Sequence, residues 1–281
     1  TAYARLIQFT PDTPLRLQDA IDEFEKENYD SLIIDLRDNP GGLITSAVDV
    51  VDKFIDSGPV VSTKSRVLFE TRQYTATKSK TKVKKGIPIV VLINHGSASA
   101  SEIVSGALKD YHVAYLVGER TYGKGSVQQV ISPLIDDDGI KLTMAKYYTP
   151  SDTNIDKIGI PPDLEVKNLD AFSEEEEKIY MSLMEAKIID ETVEKNPKMS
   201  EEDISNAAKN IAKDYKLDER LLRRLLRVQV QKTSGSALYD LDYDLQLMEA
   251  LRIAQDKNFS TLVKNTKTLK QLQDELEMDF E

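Results

Sequence analysis

The chain has 281 residues, 40% of them hydrophobic and 30% charged, enough for one large domain or two smaller ones with a substantial core. Its formal net charge of −11 argues against a nucleic-acid surface, and no apolar run approaches the roughly 18 residues of a membrane span. With no cysteine, a disulfide, a thiol nucleophile and a Cys-ligated zinc are excluded.

Composition changes near residue 168. Residues 1–167 hold eleven of the twelve glycines, nine of the ten prolines and a charge of −3, whereas 168–281 carries −8 and only Gly235 and Pro197 as breakers. This predicts an α/β body over 1–167 followed by an all-α C-terminal extension over 168–281. In the body, residues 4–9 read as a strand ended by Pro11. Thr13-Pro14 starts a helix with Leu17, Ala20, Ile21 and Phe24 on its apolar face. A buried strand over 31–36 runs into Arg37-Asp38-Asn39-Pro40-Gly41-Gly42, and a helix follows with Ala47, Val48, Val51, Phe54 and Ile55 inward. Residues 60–65 and 67–74 suggest strands, and the lysine-rich 75–85 a solvated loop. The apolar run 87–93 is a buried strand. Further strands are expected at 114–117, 126–131 and 140–148, so that strands and helices alternate as repeated β–α units.

The extension opens with two capping-box patterns, Ser173-Glu174-Glu175-Glu176 and Ser200-Glu201-Glu202-Asp203. Helices are expected over 217–232, 237–257 and 261–277, with Thr233-Ser234-Gly235-Ser236 between the first two. Arg220, Arg223, Arg224 and Arg227 form a basic face. In so acidic an extension it reads as solvated or paired within the chain rather than as a lipid or RNA surface.

Chemistry concentrates at Asn94-His95-Gly96-Ser97-Ala98-Ser99-Ala100-Ser101-Glu102-Ile103, a serine-rich turn between a buried strand and a helix. Such a turn exposes a hydroxyl beside the free N–H groups and positive dipole end of the helix, where a nucleophile and oxyanion donors are useful. It also describes an ordinary N-cap. The two histidines are poor partners: His95 lies on the wrong side of the turn and His112 reads as helix-end packing. Lysine is the remaining base. Thr121-Tyr122-Gly123-Lys124-Gly125-Ser126-Val127-Gln128 sets Lys124 between glycines with a glutamine four residues on. A phosphate loop would instead need Ser or Thr after the lysine. A serine–lysine pair is an established variant of triad chemistry, and desolvation favours the neutral amine it needs.

Four ordered segments carry a family resemblance: Asp35-Leu36-Arg37-Asp38-Asn39-Pro40-Gly41-Gly42; Gly96 to Glu102 with Gly118 to Gln128; Tyr147-Tyr148-Thr149-Pro150-Ser151; and Gly159-Ile160-Pro161-Pro162-Asp163-Leu164-Glu165-Val166. Together they resemble the C-terminal processing (tail-specific) serine proteases, family S41. The resemblance implies a ClpP/crotonase-like core and an endopeptidase without metal or cofactor that cuts proteins near their C-termini. Ser99 would be the nucleophile, Lys124 the general base and Gln128 the residue holding the lysine amine. Ala100 N–H would form the oxyanion hole with Gly41 or Gly42, between which the sequence does not choose. The resemblance further implies protein substrates with accessible C-termini, export to a bacterial periplasm or cell envelope, and a PDZ domain ahead of this segment. The helical extension matches no family motif; dimerisation, a platform for a partner, or cover for one face of the core are its expected roles. Two other readings are a non-catalytic substrate-binding or scaffolding fragment, and acyl transfer on a crotonase-type core with coenzyme A, which no feature of the sequence demands.

Overall fold

The computed structural model describes residues 1–66, 71–131, 139–167, 173–234 and 240–278. Its chain divides into two compact units, Thr1–Val166 with Met248–Glu281, and Lys167–Leu247.

In chain order the body contains β1 (Ala2–Arg5), α1 (Thr13–Lys26), β2 (Leu32–Asp35), α2 (Ile44–Val51), β3 (Ser57–Lys64), β4 (Arg72–Thr77), β5 (Ile89–Ile93), α3 (Ala100–Asp110), β6 (Tyr115–Gly118), β7 (Ser126–Ile131), β8 (Ile140–Tyr148) and β9 (Leu164–Glu165). Every residue of β2, β5 and β6 is buried, the mark of parallel strands covered on both faces. They form the centre of a parallel sheet ordered β1-β2-β5-β6-β9. A second, antiparallel sheet is ordered β4-β3-β8-β7, with a register shift between Val127 and Gln128. Helices α1, α2 and α3 bury Leu17 and Ile21, Val50 and Val51, and Val104 and Leu108 in one core. This is a mixed α/β fold built on a parallel sheet.

Several expected boundaries move. The strand expected over 4–9 ends at Arg5, and beyond it Phe9 makes only a single bridge to Gly42. The ladder stops because the Leu6 carbonyl accepts from Asn39 Nδ2 at 2.7 Å. The loop expected over 75–85 contains the end of β4 and a 3-10 turn, Lys78–Lys80, and Val83 is buried. The end of α2 holds it: the Lys53 carbonyl accepts from Lys82 and Val83 N–H. Of the strand expected over 67–74, residues 67–70 lie outside the described residues.

The second unit contains α4 (Glu174–Glu185), α5 (Ile188–Lys195), α6 (Glu201–Tyr215) and α7 (Glu219–Ser234). Both expected capping boxes form: Ser173 N–H donates to Glu176 Oε2 at 2.8 Å, and Ser200 N–H to Asp203 Oδ2 at 2.9 Å. Ile189, Ile204, Ile211, Leu222 and Leu226 share the unit's own core. Gly235 and Ser236, and the start of the helix expected from 237, lie outside the described residues.

The last helices, α8 (Leu245–Ala254), α9 (Phe259–Lys264) and α10 (Leu269–Met278), depart from the expectation of one all-α extension, because from Met248 onward they belong with the body. Leu269 sits in the main core and its N–H donates to Asp110 Oδ1 at 2.8 Å. The helix expected over 261–277 is interrupted where Thr266 Oγ1 turns to the Val263 carbonyl at 2.7 Å. No helix among the described residues is long and apolar enough to cross a membrane.

Candidate active site

Three loops leave the carboxyl ends of neighbouring parallel strands: 36–43 after β2, 94–99 after β5 and 119–125 after β6. That end of such a sheet is where α/β folds place their ligands. The first loop is pinned by a buried pair: Arg37 Nε and Nη2 donate to Asp35 Oδ1 and Oδ2 at 2.9 and 2.7 Å, and Tyr3 Oη donates to Oδ2 at 2.7 Å. Burial, and then the Asp35 charge, push the Tyr3 phenol well above its usual range. Asn39 ties this loop to the second, since its carbonyl accepts from Ala98 N–H at 3.0 Å and from Ser101 Oγ at 2.9 Å. Asn94 reciprocates, its Oδ1 accepting from Asp38 N–H at 2.9 Å.

The three serines of the turn are now distinguishable. Ser97 Oγ donates to the Leu36 carbonyl at 2.8 Å and Ser101 Oγ to that of Asn39, so both hydroxyls serve the loop's own structure. Ser99 differs. It opens α3 at φ 57°, ψ −111°, a sparsely populated conformation that costs on the order of 1–3 kcal/mol and persists only where the surroundings enforce it. The ring of Tyr147, from β8, is buried in the main core. Burial pushes its phenol above its ordinary value.

The backbone around Ser99 is close-packed. Gly41, at φ +102°, lies so near that an added Cβ would stand 2.8 Å from Ser99 Cβ and 2.9 Å from Ala100 N. Gly41 N–H donates to Asn39 Oδ1 at 2.9 Å. Among the described residues, the buried Ala100 N–H and the Gly42 N–H have no hydrogen-bond acceptor.

One buried carboxylate joins the serine and lysine loops. Glu102 Oε2 accepts from Ser99 N–H and Lys124 N–H, each at 2.8 Å; Oε1 accepts from Thr121 Oγ1 at 2.6 Å and Gly123 N–H at 2.7 Å. The Ser99 and Lys124 nitrogens are therefore no further apart than twice that first distance. Tyr122 N–H adds a bond to the Ser97 carbonyl at 3.0 Å. The fold thus brings together the backbones of Ser99, Ala100, Gly41 and Lys124. It does not bring together the side chains of Ser99, Lys124 and Gln128. The Lys124 side chain is exposed, and so is Gln128, opposite Thr143 on β8; no hydrogen bond links any two of the three.

His95 packs against the Tyr122 ring at a centroid distance of 5.5 Å, and His112 Nδ1 meets Thr266 Oγ1 at 2.9 Å. Of the basic face, Arg227 pairs with Glu201, Asp240 and Asp242, and its guanidinium lies over the Tyr243 ring. Sequence reasoning assigned no role to Glu102. For Glu102 the signal was present: Ser99 and Glu102 have the three-residue serine-to-carboxylate spacing of the two capping boxes that were read.

Residues 1–166 match Peptidase family S41. A carboxy-terminal-processing protease of Bartonella bacilliformis is 46% identical over 169 residues, covering 59% of this chain and 38% of that protein. The carboxyl-terminal-processing protease of Synechocystis sp. is 40% identical over 161 residues, covering 57% of this chain and 36% of that one. Among solved structures, the photosystem II D1 C-terminal processing protease superposes with a TM-score of 0.53 at 38% identity, over 59% of this chain and 42% of that chain. The chain therefore spans well under half the length of these relatives. Matched from its first residue through β9, with the three loops at the carboxyl ends of the sheet inside the match, the chain belongs to peptidase family S41.

Proposed function

We propose that this chain carries the catalytic core of a serine endopeptidase that cuts protein substrates near their C-termini, on a ClpP/crotonase-like arrangement of β–α units. Ser99 attacks the scissile carbonyl while the neutral Lys124 amine takes its proton, then returns it to the leaving amine. A water deprotonated in the same way releases the acyl group. Ala100 N–H and Gly42 N–H receive the oxyanion, Gly41 N–H being engaged by Asn39. Gln128 steadies the lysine amine in the working arrangement. Location outside the cytoplasm, on the envelope side, belongs to the same reading and is checked by cell fractionation.

The observation that carries this reading is the Glu102 carboxylate, which holds the Ser99 and Lys124 backbones on one oxygen. A lysine's four-carbon stem is long enough to cover the remaining gap once its side chain turns inward. Hydrolysis of an unfolded protein with a free C-terminus should be abolished by Ser99→Ala and by Lys124→Ala; retained hydrolysis in either variant rejects the mechanism.

The exposed Lys124 side chain favours a second reading, a substrate-binding or scaffolding fragment without turnover. A fluorophosphonate reagent separates the two. Labelling at Ser99 supports the enzyme, and its absence at basic pH supports the scaffold.

A further inference from the structure

We propose that the cavity between the segment 153–163 and the helices α9 and α10 binds a long-chain carboxylate, a ligand of the fatty-acid class. The cavity has a volume of about 540 Å³, within the roughly 300–1,000 Å³ of small-molecule sites. Ile155, Ile158 and Pro161 line it from one side and Leu262, Leu272 and Leu276 from the other, all within the first compact unit. Ile158 is 49% and Leu276 54% exposed, so large apolar side chains on both walls still meet solvent. Neither Ser99 nor Lys124 lines it.

The polar lining decides what fits. Lys109 is paired with Asp163, whose Oδ2 also accepts from Leu116 N–H at 2.8 Å. Lys267 Nζ pairs with Glu275 Oε2 at 2.7 Å, and Gln273 Nε2 donates to Glu277 Oε1 at 2.9 Å. Both ends of the Asn154 amide are engaged, Nδ2 by the Tyr147 carbonyl at 2.7 Å and Oδ1 by Asp156 N–H at 3.3 Å. Arg120 is the exception. Among the described residues it pairs with no carboxylate: Nη1 donates to the Ile158 carbonyl at 3.3 Å, and a guanidinium has five N–H groups to offer. A ligand here therefore needs an apolar body that asks for no hydrogen bonds and one anionic end for Arg120. An alkyl carboxylate has both. A peptide has the carboxylate, but its amides would be buried against polar groups already engaged, the exposed Asn265 aside.

One wall of the cavity is also held to the lysine loop. Lys157 N–H donates to the Gly123 carbonyl at 2.7 Å, Gly125 N–H to Asp156 Oδ1 at 3.2 Å, and Thr121 N–H to the Ile160 carbonyl at 3.1 Å. A ligand packed on Ile155 and Ile158 thus bears on the backbone either side of Lys124. The site itself stands without the serine–lysine reading; its effect on the reactivity of Ser99 rests on that reading.

Isothermal titration of the whole chain with decanoate tests the site. One molecule should bind per chain. Arg120→Gln, which can still donate to the Ile158 carbonyl, should weaken binding about tenfold, the effect of one charged hydrogen bond, whereas decanol should bind both proteins alike. Ile158→Glu and Leu276→Glu, exposed positions on opposite walls, should each abolish binding. Binding that survives both glutamate variants, or that does not distinguish decanoate from decanol, overturns the proposal. An acetylated trileucine with a free C-terminus that binds as tightly as decanoate overturns the choice of an alkyl chain. Saturating decanoate should change the fluorophosphonate labelling rate of Ser99 about fivefold or more, and Ile158→Glu should remove the change. A rate within twofold of the free protein's overturns the reach to Lys124. If Ser99→Ala still hydrolyses protein, the dyad fails and the titration result is untouched.

Discussion

Glu102→Gln is the substitution that asks most of the site while changing its shape least. Four donors converge on the two carboxylate oxygens, two on each: Ser99 and Lys124 N–H on Oε2, Thr121 Oγ1 and Gly123 N–H on Oε1. An amide offers one oxygen and one NH2, so whichever way it sits, two donors lose their acceptor and face another N–H. The less costly orientation turns the NH2 toward Thr121, whose hydroxyl can rotate. Thr121 Oγ1 already accepts from Ile160 N–H at 2.7 Å, so that relief is partial and Gly123 N–H is stranded regardless. With about 1–3 kcal/mol for each buried donor left unsatisfied, the loss is about 2–6 kcal/mol, against a total stability of about 5–15 kcal/mol for a domain. Urea unfolding measures it directly, and fluorophosphonate labelling at a urea concentration where both proteins are folded reports the turn separately. Labelling of Ser99 should slow in step with the loosening of the lysine loop. Unfolding free energy within about 0.5 kcal/mol of wild type, with an unchanged labelling rate, would show that the four short contacts do not hold the site and would refute the reasoning.

Gly41→Ala should abolish Ser99 labelling, because the new Cβ would meet the Ala98 carbonyl at 2.6 Å at a φ of +102°; Gly86→Ala, equally left-handed but with open space around it, should cost only about 1 kcal/mol in urea unfolding and leave labelling intact. Lys109→Met strands the buried carboxylate of Asp163, its ion-pair partner, and should cost about 3–5 kcal/mol. The double variant Lys109→Met/Asp163→Leu should recover much of this but not all, since Leu116 N–H also donates to Asp163, and strict additivity of the two single effects would contradict the pairing. Half-buried Tyr3 and buried Tyr115 and Tyr147 all have pKa values raised above 10.0, chiefly by loss of solvent around the phenol. The unfolded chain releases these protons first, so their contribution is complete below pH 10 and is lost as pH rises from there through the folded values; the thermal midpoint should fall above pH 10, and Tyr3→Phe should flatten that fall.

What could be read from the sequence was local. β2, β5 and β6 are nearly continuous apolar runs, and such runs have few alternatives to a covered parallel strand. The capping boxes at Ser173 and Ser200 close within a single turn, so three-residue spacing was enough to find them. Glu102 has that spacing too, but three of its four bonds come from the loop around Gly123, whose arrival depends on strand order rather than on neighbouring sequence. The C-terminal helices misled because a helical pattern does not show which core its apolar face packs against. A few anchors decide where they belong, chief among them Leu269, whose N–H crosses 159 positions to reach Asp110.

Those anchors give α3 a property no single loop supplies. At its first turn Glu102 fixes the Ser99 N–H from within the helix. At its last turn Lys109 pairs with Asp163, while Asp110 accepts from Leu269 N–H through Oδ1 and from Ser151 N–H through Oδ2. Between the two ends Gly106 admits close neighbours: a Cβ there would stand 3.3 Å from both Ile160 and Thr149. A helix gripped at both ends and packed along its middle cannot slide or tilt without breaking several buried bonds at once, so the position of Ser99 is a property of the whole body. Lys124 is different, its backbone fixed on the same carboxylate but its side chain in solvent. On the serine–lysine reading, the difference between a resting and a working site then lies in rotations about one flexible stem. Regulation acting through the lysine side would need only to desolvate that amine, whereas regulation acting through the serine would have to unpack the core.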